Sequence, residues 1–246
     1  MTTIDYRYAT DQRAARMRDL LAGPRLRYTL ATARMRCAAL RWSATGRARR
    51  WLKRTLDLSA ALVLLALAAP LMLLTALLIR LESPGPVLFR QTRTGRWGRP
   101  FTCFKFRSMY VDAERRLEEL RRFNEADGPV FKMKNDPRIT RVGRVIRKLS
   151  IDELPQLFNV LRGDMSLVGP RPALPREVAC YTYDQARRLD VTPGITGLQQ
   201  VSGRSDIDFE RWIALDLQYI NEQGVAKDIE ILLRTIPAVL FSKGAY

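Results

Sequence analysis

No charged side chain occurs between residues 58 and 79. As a helix rising 1.5 Å per residue, that stretch reaches about 33 Å, enough to cross the hydrocarbon core of a bilayer. Pro70 stands in the middle of it, where the missing N–H and the ring's clash with the preceding turn favour a break. Arg49, Arg50, Lys53 and Arg54 precede the stretch, and Arg80, Arg90, Arg93, Arg96 and Arg99 follow it. Cytoplasmic flanks are the basic ones, so both ends are expected on the cytoplasmic face. The expectation is a re-entrant helix-break-helix hairpin over residues 56–80, bent at Pro70, rather than a span. A buried helix in a soluble core is the alternative.

The charge balance points the same way. The chain of 246 residues carries 42 Lys+Arg against 25 Asp+Glu, a formal +17, which calls for a polyanionic partner: anionic lipid, phosphorylated substrate or nucleic acid. Residues 1–54 alone hold 14 Lys/Arg and 3 Asp. They read either as a basic, partly helical arm on an anionic membrane face or as a solvated tail. The sequence contains no His, which removes Ser-His-Asp and Cys-His catalysis, phosphohistidine chemistry and His-ligated metals. Cys37, Cys103 and Cys180 are far apart, so neither a zinc site nor a disulfide framework is indicated. Neither a P-loop nor a dinucleotide-binding glycine fingerprint occurs. Chemistry must come from carboxylates, Lys/Arg, hydroxyls or a hard cation.

The richest stretch for such chemistry is residues 147–172. Asp152 and Glu153 follow the basic run Arg144, Arg147, Lys148 and precede Leu154, Leu157, Phe158 and Leu161 at helical spacing. Asp152 is expected to cap that helix, with Pro155 in its first turn. An ordinary capped helix would have the same pattern. Asp164 reads equally as a site residue or as a turn residue after Gly163. Gly169-Pro170-Arg171-Pro172 is a rigid segment able to hold one guanidinium in a fixed pose.

Elsewhere, residues 87–91 and 101–109 read as two paired strands across a Gly95–Pro100 turn, with Lys105 and Arg107 on one face. Residues 112–123 form a charged amphipathic helix. Ile139, Val142, Val145, Ile146 and Leu149 form the buried stripe of the next one. Residues 192–204 are a turn-rich loop, residues 209–220 an aromatic helix, and residues 229–241 an apolar helix interrupted by Pro237. The last suits either an interfacial position or the core.

Taken together, Lys105-Phe106-Arg107-Ser108-Met109, the string from Arg147 to Pro172, and Pro193-Gly194-Ile195-Thr196-Gly197 with Gly203-Arg204 resemble the bacterial sugar transferases, the monotopic phosphoglycosyl transferases. The resemblance covers residues 53–246 and leaves out the basic arm. It implies an α+β, mostly helical monotopic membrane protein. Its parts would be a re-entrant hairpin, a short β-hairpin and amphipathic interfacial helices, arranged as an extension (1–51) and a transferase domain (52–246). Relatives often carry Ser-Pro at the hairpin break, where this chain has Ala69-Pro70.

The activity implied is transfer of a sugar-1-phosphate from a UDP-sugar to undecaprenyl phosphate, releasing UMP and starting exopolysaccharide, capsule or O-antigen type assembly. Asp152 would be the nucleophile, forming a covalent phosphosugar intermediate. Glu153, with Asp152, would hold Mg²⁺. Lys105, Arg107, Arg147, Arg171 and Arg204 would bind substrate phosphate and nucleotide. A hexose is implied by Asp206-Ile207-Asp208-Phe209 and Gly244-Ala245-Tyr246, which look like the hexose-transferring branch. The resemblance places the catalytic domain on the cytoplasmic face of the bacterial inner membrane, is compatible with a homo-oligomer and involves no nucleic acid. A basic nucleic-acid binder and an inactive membrane scaffold are the competing classes. Clustering of charge around an apolar segment opposes the first, and intact Asp152, Glu153 and Arg171 oppose the second.

Overall fold

The computed structural model describes the backbone of residues 27–125, 133, 135–203 and 207–240. The first half of the basic arm, Arg204, Asp206 and the closing Gly244-Ala245-Tyr246 lie outside the described residues. The chain divides into two compact units, Met1–Trp51 and Leu52–Tyr246. The second contains both hydrophobic clusters of the core.

Helix α1, Arg27–Glu82, contains the apolar stretch. The hairpin strands are β1, Leu88–Thr94, and β2, Pro100–Phe106, paired antiparallel with Arg93 opposite Phe101 and Phe89 opposite Lys105. Two charged helices come next, α2 (Ala113–Leu120) and α3 (Arg141–Lys148). A 3-10 turn, Ile151–Glu153, leads into α4, Gln156–Arg162. Strand β3, Ser166–Val168, is followed by the short helices α5, Pro175–Val178, and α6, Tyr183–Ala186. Strand β4, Gly194–Thr196, runs parallel to β3, and α7, Leu198–Val201, follows. Two long helices, α8 (Phe209–Glu222) and α9 (Val225–Leu240), complete the fold.

The stretch expected to break at Pro70 stays helical throughout: Pro70 lies inside α1. A proline deletes one backbone hydrogen bond and can be absorbed as a local bend without ending a helix. One stripe of α1 faces the domain. Asp57, Ala61, Thr75 and Ile79 are buried; Ala61 and Leu65 pack into the main core, and Met72 and Ala76 beside Phe106 and Ile146. The other face is open, with Leu67 and Leu73 each 73% exposed. Length and apolarity of Ala48–Glu82 would suffice for a crossing. Yet both ends of the stretch dock on the same domain. At its start, Arg54 donates to the carbonyls of Val160 (2.6 Å) and Leu161 (3.0 Å), and Asp57 accepts from the Leu167 N–H. At its end, Glu82 accepts from the Arg141 and Val142 N–H groups.

The main core joins Leu157, Val160, Met165, Leu167, Val168, Leu198, Leu215, Tyr219 and Ile231. Each fully buried aliphatic side chain contributes roughly 1.5–3 kcal/mol. Glycine makes the β3–β4 layer possible: a Cβ on Gly194 would collide with the Gly169 nitrogen. That close approach lets the Gly169 N–H donate to Thr196 O and the Gly194 N–H to Pro170 O. The stripe expected on α3 is only half buried. Ile146 is buried, but Val145 is 57% and Leu149 40% exposed, because α3 lies at the domain edge with one face uncovered. Pro237 lies inside α9 rather than interrupting it. Ile229, Leu233 and Ile236 stand exposed on one side of that helix, while Asp228 and Ile231 are buried on the other, the pattern of an interfacial helix.

Candidate active site

Asp152 and Glu153 sit in the 3-10 turn between α3 and α4, and α1 holds this segment at both ends. Glu82 caps the first turn of α3, and Arg54 takes the last carbonyls of α4. Asp152 is not the expected N-cap. Ser150, at φ 55°, turns the chain in left-handed conformation, the turn starts at Ile151, and Asp152 lies within it. Its carboxylate is therefore not used up on backbone N–H groups and faces side chains instead.

Those side chains come from distant segments. The Lys105 ammonium donates to Glu153 Oε1 at 2.6 Å and stands 3.9 Å from Asp152 Oδ2. Arg171 donates to the same Glu153 oxygen at 3.2 Å. The two carboxylates are thus adjacent in sequence but differently served. Burial alone would raise Glu153, but Lys105 and Arg171 override it and hold the group at about 2. Burial, with the Glu153 charge beside it, pushes Asp152 up, and Lys105 compensates only in part. Arg147, in the last turn of α3, bears on Asp152 through its charge. One carboxylate is locked in an ion-pair cluster; the other is buried and only loosely partnered.

Beside the pair lies a small cleft lined by Lys105, Arg171, Arg93, Cys103, Gln156 and Ile195, among others. Arg93 went unnoticed as a site residue in the sequence. Strand register was the available signal: pairing Thr94 with Pro100 puts Arg93 opposite Phe101, on the face of Cys103 and Lys105. Burial and the neighbouring Arg171 pull Arg93 down to about 10.

Arg107 does not join the cluster. β2 ends at Phe106, so the alternation that would align Arg107 with Lys105 stops one residue short. The guanidinium turns to the end of α1, donating to Pro84 O (2.7 Å), Ser83 O (2.7 Å) and Ser83 Oγ (2.9 Å). Those acceptors lie just past the end of α1, and the same guanidinium reaches the Ile79 carbonyl of its last turn at 3.4 Å. Asp164 likewise is a turn residue: its N–H donates to Asn159 O, and its carboxylate accepts from the Asn159 amide. Arg204 lies outside the described residues.

Two adjacent carboxylates form a hard oxygen donor set, of the kind Mg²⁺ takes when substrate phosphate supplies the remaining ligands. Among the described residues no group of three or more Asp, Glu, Cys or His converges, so Asp152 and Glu153 fit the ion only together with phosphate oxygens.

Residues 48–242 match the family described as bacterial sugar transferase. The chain is 49% identical over 194 residues to the galactosyl transferase CpsE of Streptococcus agalactiae serotype III, an alignment covering 78% of this chain and 43% of that protein. It is 47% identical over 204 residues to a UDP-glucose:undecaprenyl-phosphate glucose-1-phosphate transferase of Caulobacter vibrioides, covering 79% and 72%. With the exopolysaccharide production protein ExoY of Rhizobium meliloti it shares 43% over 198 residues, covering 79% and 88%. The chain belongs to the bacterial sugar transferase family. It spans less than half the length of CpsE and most of the length of ExoY.

Proposed function

We propose that this protein transfers a hexose-1-phosphate from a UDP-sugar to undecaprenyl phosphate at the cytoplasmic face of the bacterial inner membrane, as the first step of an exopolysaccharide or capsule type pathway. The observation that carries this reading is the asymmetry of the acidic pair: Glu153 is locked between Lys105 and Arg171, while Asp152 is buried with one contact at 3.9 Å. A carboxylate without strong partners is available to react.

In the first half reaction an Asp152 oxygen attacks the sugar-bearing phosphorus of the UDP-sugar. A bond forms between that oxygen and phosphorus, the bond from phosphorus to the bridging diphosphate oxygen breaks, and UMP leaves with the electron pair. In the second, a phosphate oxygen of undecaprenyl phosphate attacks the same phosphorus and returns Asp152 to its carboxylate form. Lys105, Arg171 and Arg147 offset the charge that develops on the transferring group, and Lys105 screens Asp152 from the anionic substrate. Mg²⁺, held by Glu153 and Asp152, would neutralise diphosphate charge when bound. Arg204, by resemblance to the family motif, would bind the nucleotide.

The docking of α1 supports a re-entrant membrane arrangement. Arg54 and Glu82 hold the same domain, which supports a stretch that enters and leaves one face, bent at Pro70, with its leucine-rich side and the exposed face of α9 in lipid. The decisive experiment withholds the lipid acceptor. Full-length protein incubated with a radiolabelled UDP-sugar and Mg²⁺ should release UMP and retain label after denaturation, with the labelled peptide carrying Asp152. Label on another residue, or Asp152→Asn turning over at near wild-type rate, would refute the mechanism. Chelation by EDTA should stop both half reactions.

A further inference from the structure

Away from the acidic pair the domain buries a second ion pair. Arg188, in the 3-10 turn Arg187–Asp190, meets Asp216 of α8 at 2.5 Å, with both side chains 1% exposed. The guanidinium lies 5.0 Å from the centre of the Trp212 ring and 5.5 Å from that of Tyr181. It donates to the Tyr181 hydroxyl at 2.7 Å and to the Arg171 carbonyl at 3.2 Å. One residue further on, Arg93 donates to the Pro172 carbonyl at 2.9 Å. Two consecutive carbonyls are therefore held by two guanidiniums, Arg188 buried and Arg93 half-buried, from segments far apart in sequence.

We propose that Arg188, held in place by Asp216, is a positioning residue for Arg171: through the Arg171 carbonyl it fixes the backbone from which that guanidinium reaches Glu153. The proposal rests on the assignment of Arg171 to the substrate phosphate. Proline on both sides fixes the neighbouring φ angles, so a shift of the Arg171 carbonyl passes into the aim of the side chain instead of being absorbed. The Arg171 side chain itself is 34% exposed, so packing around it does little to hold it. A buried ion pair is a poor device for stability alone, since well-packed apolar residues of similar volume commonly replace one without loss. What such a replacement lacks is a donor for the Arg171 carbonyl.

That difference is the test. Arg188→Met combined with Asp216→Leu keeps the volume and removes both charges. Arg188→Lys keeps the charge, but one ammonium cannot serve Asp216, Tyr181 and the carbonyl as a planar fork does. Each is made in the full-length membrane protein, alone and on an Arg171→Ala background, and followed by melting temperature, UMP release and hydrogen exchange. The expected result is a melting temperature near wild type in at least one variant, with kcat reduced roughly 10- to 100-fold. On the Arg171→Ala background the further loss should be less than about twofold, since residues acting through one another are not additive. Amide exchange in the peptide covering 168–174 should accelerate. Full turnover alongside restored stability would overturn the proposal, as would losses that multiply with Arg171→Ala. Wild-type protein that releases UMP from no UDP-sugar would refute the proposed function instead, and unchanged exchange at 168–174 would then refute the role of Arg188 independently of any activity.

Discussion

Two charged clusters in this molecule have similar parts and opposite finish. Where α1 docks, the Lys53 ammonium donates to Asp228 Oδ2 at 2.6 Å and to Val168 O at 3.2 Å, and the Tyr219 hydroxyl lies between Val168 O (3.0 Å) and Asp228 Oδ1 (2.8 Å). Both oxygens of Asp228 are satisfied. Burial and the Asp228 charge push the Tyr219 hydroxyl up, so it stays a neutral donor. At the acidic pair, Lys105 and Arg171 converge on one oxygen of Glu153 and leave Asp152 at 3.9 Å. A cluster whose task is attachment saturates its groups. The acidic pair leaves one buried group short of partners, which costs stability and is what the proposed role of Asp152 requires.

The largest effect that would sharpen this contrast is on Asp152. Asp152→Asn should lower UMP release by roughly 10³-fold or more while leaving the melting temperature unchanged or higher. A clear drop in melting temperature would make Asp152 a structural residue and break the comparison. Arg171→Ala and Lys105→Met come next. Each should reduce turnover about 10²-fold with the protein still membrane-bound, because each removes charge stabilisation and leaves the anchor intact. Full activity in both variants would remove Lys105 and Arg171 from the phosphate site.

At the docking cluster the pattern should invert. Asp228→Asn removes the negative charge opposite Lys53 and should cost on the order of 2 kcal/mol in unfolding measurements, with turnover per folded molecule unchanged. Tyr219→Phe removes one hydroxyl and should cost about 1 kcal/mol. Loss of specific activity in Asp228→Asn, at equal folded fraction, would show that the anchor and the site are not separable.

The two carboxylates should also part company with pH. Glu153 is held below its ordinary 4.5, at about 2. Its stabilising contribution is complete above 4.5, where the unfolded state also carries the charge, and is lost as pH falls towards 2. Asp152 is displaced upward, so its ionisation destabilises the fold, and the protein gains stability from this group as pH falls through its raised value. Activity should follow the opposite course and decline there, since the protonated carboxyl does not attack. Asp152→Asn should erase the upward displacement from the stability profile and leave the loss between 4.5 and 2. A wild-type rate that stays constant down to the region where Glu153 titrates would refute the assignment of Asp152.

Most of the longer local elements are legible in the chain before it folds. Uncharged length marked α1, alternation marked the β1–β2 hairpin, and helical apolar spacing marked α4 and α8. Asp208 in fact caps α8, accepting from the Arg211 N–H at 2.6 Å. Adjacent carboxylates before an apolar run, with Arg171 between two prolines, mark a candidate site in the sequence, and the fold brings Glu153 and Arg171 together. These signals are local, and so are the forces behind them: side-chain periodicity, proline's missing donor, the scarcity of carboxylates near a basic run.

Tertiary structure decided which cations reach the pair. Lys105 and Arg107 carry the same periodic signal, yet one meets Glu153 and the other closes the end of α1, because the strand stops between them. β4, too, was hidden in residues that read as a loop. Its pairing with β3 depends on Gly169 and Gly194 meeting from separate segments of the chain, and a three-residue strand has no periodicity to detect. In the sequence nothing sets Arg188 and Asp216 apart from the other charges of the chain. Only the packing of Tyr181 and Trp212 around them removes water, and loss of water is what turns two ordinary charges into a fixed support beneath Arg171.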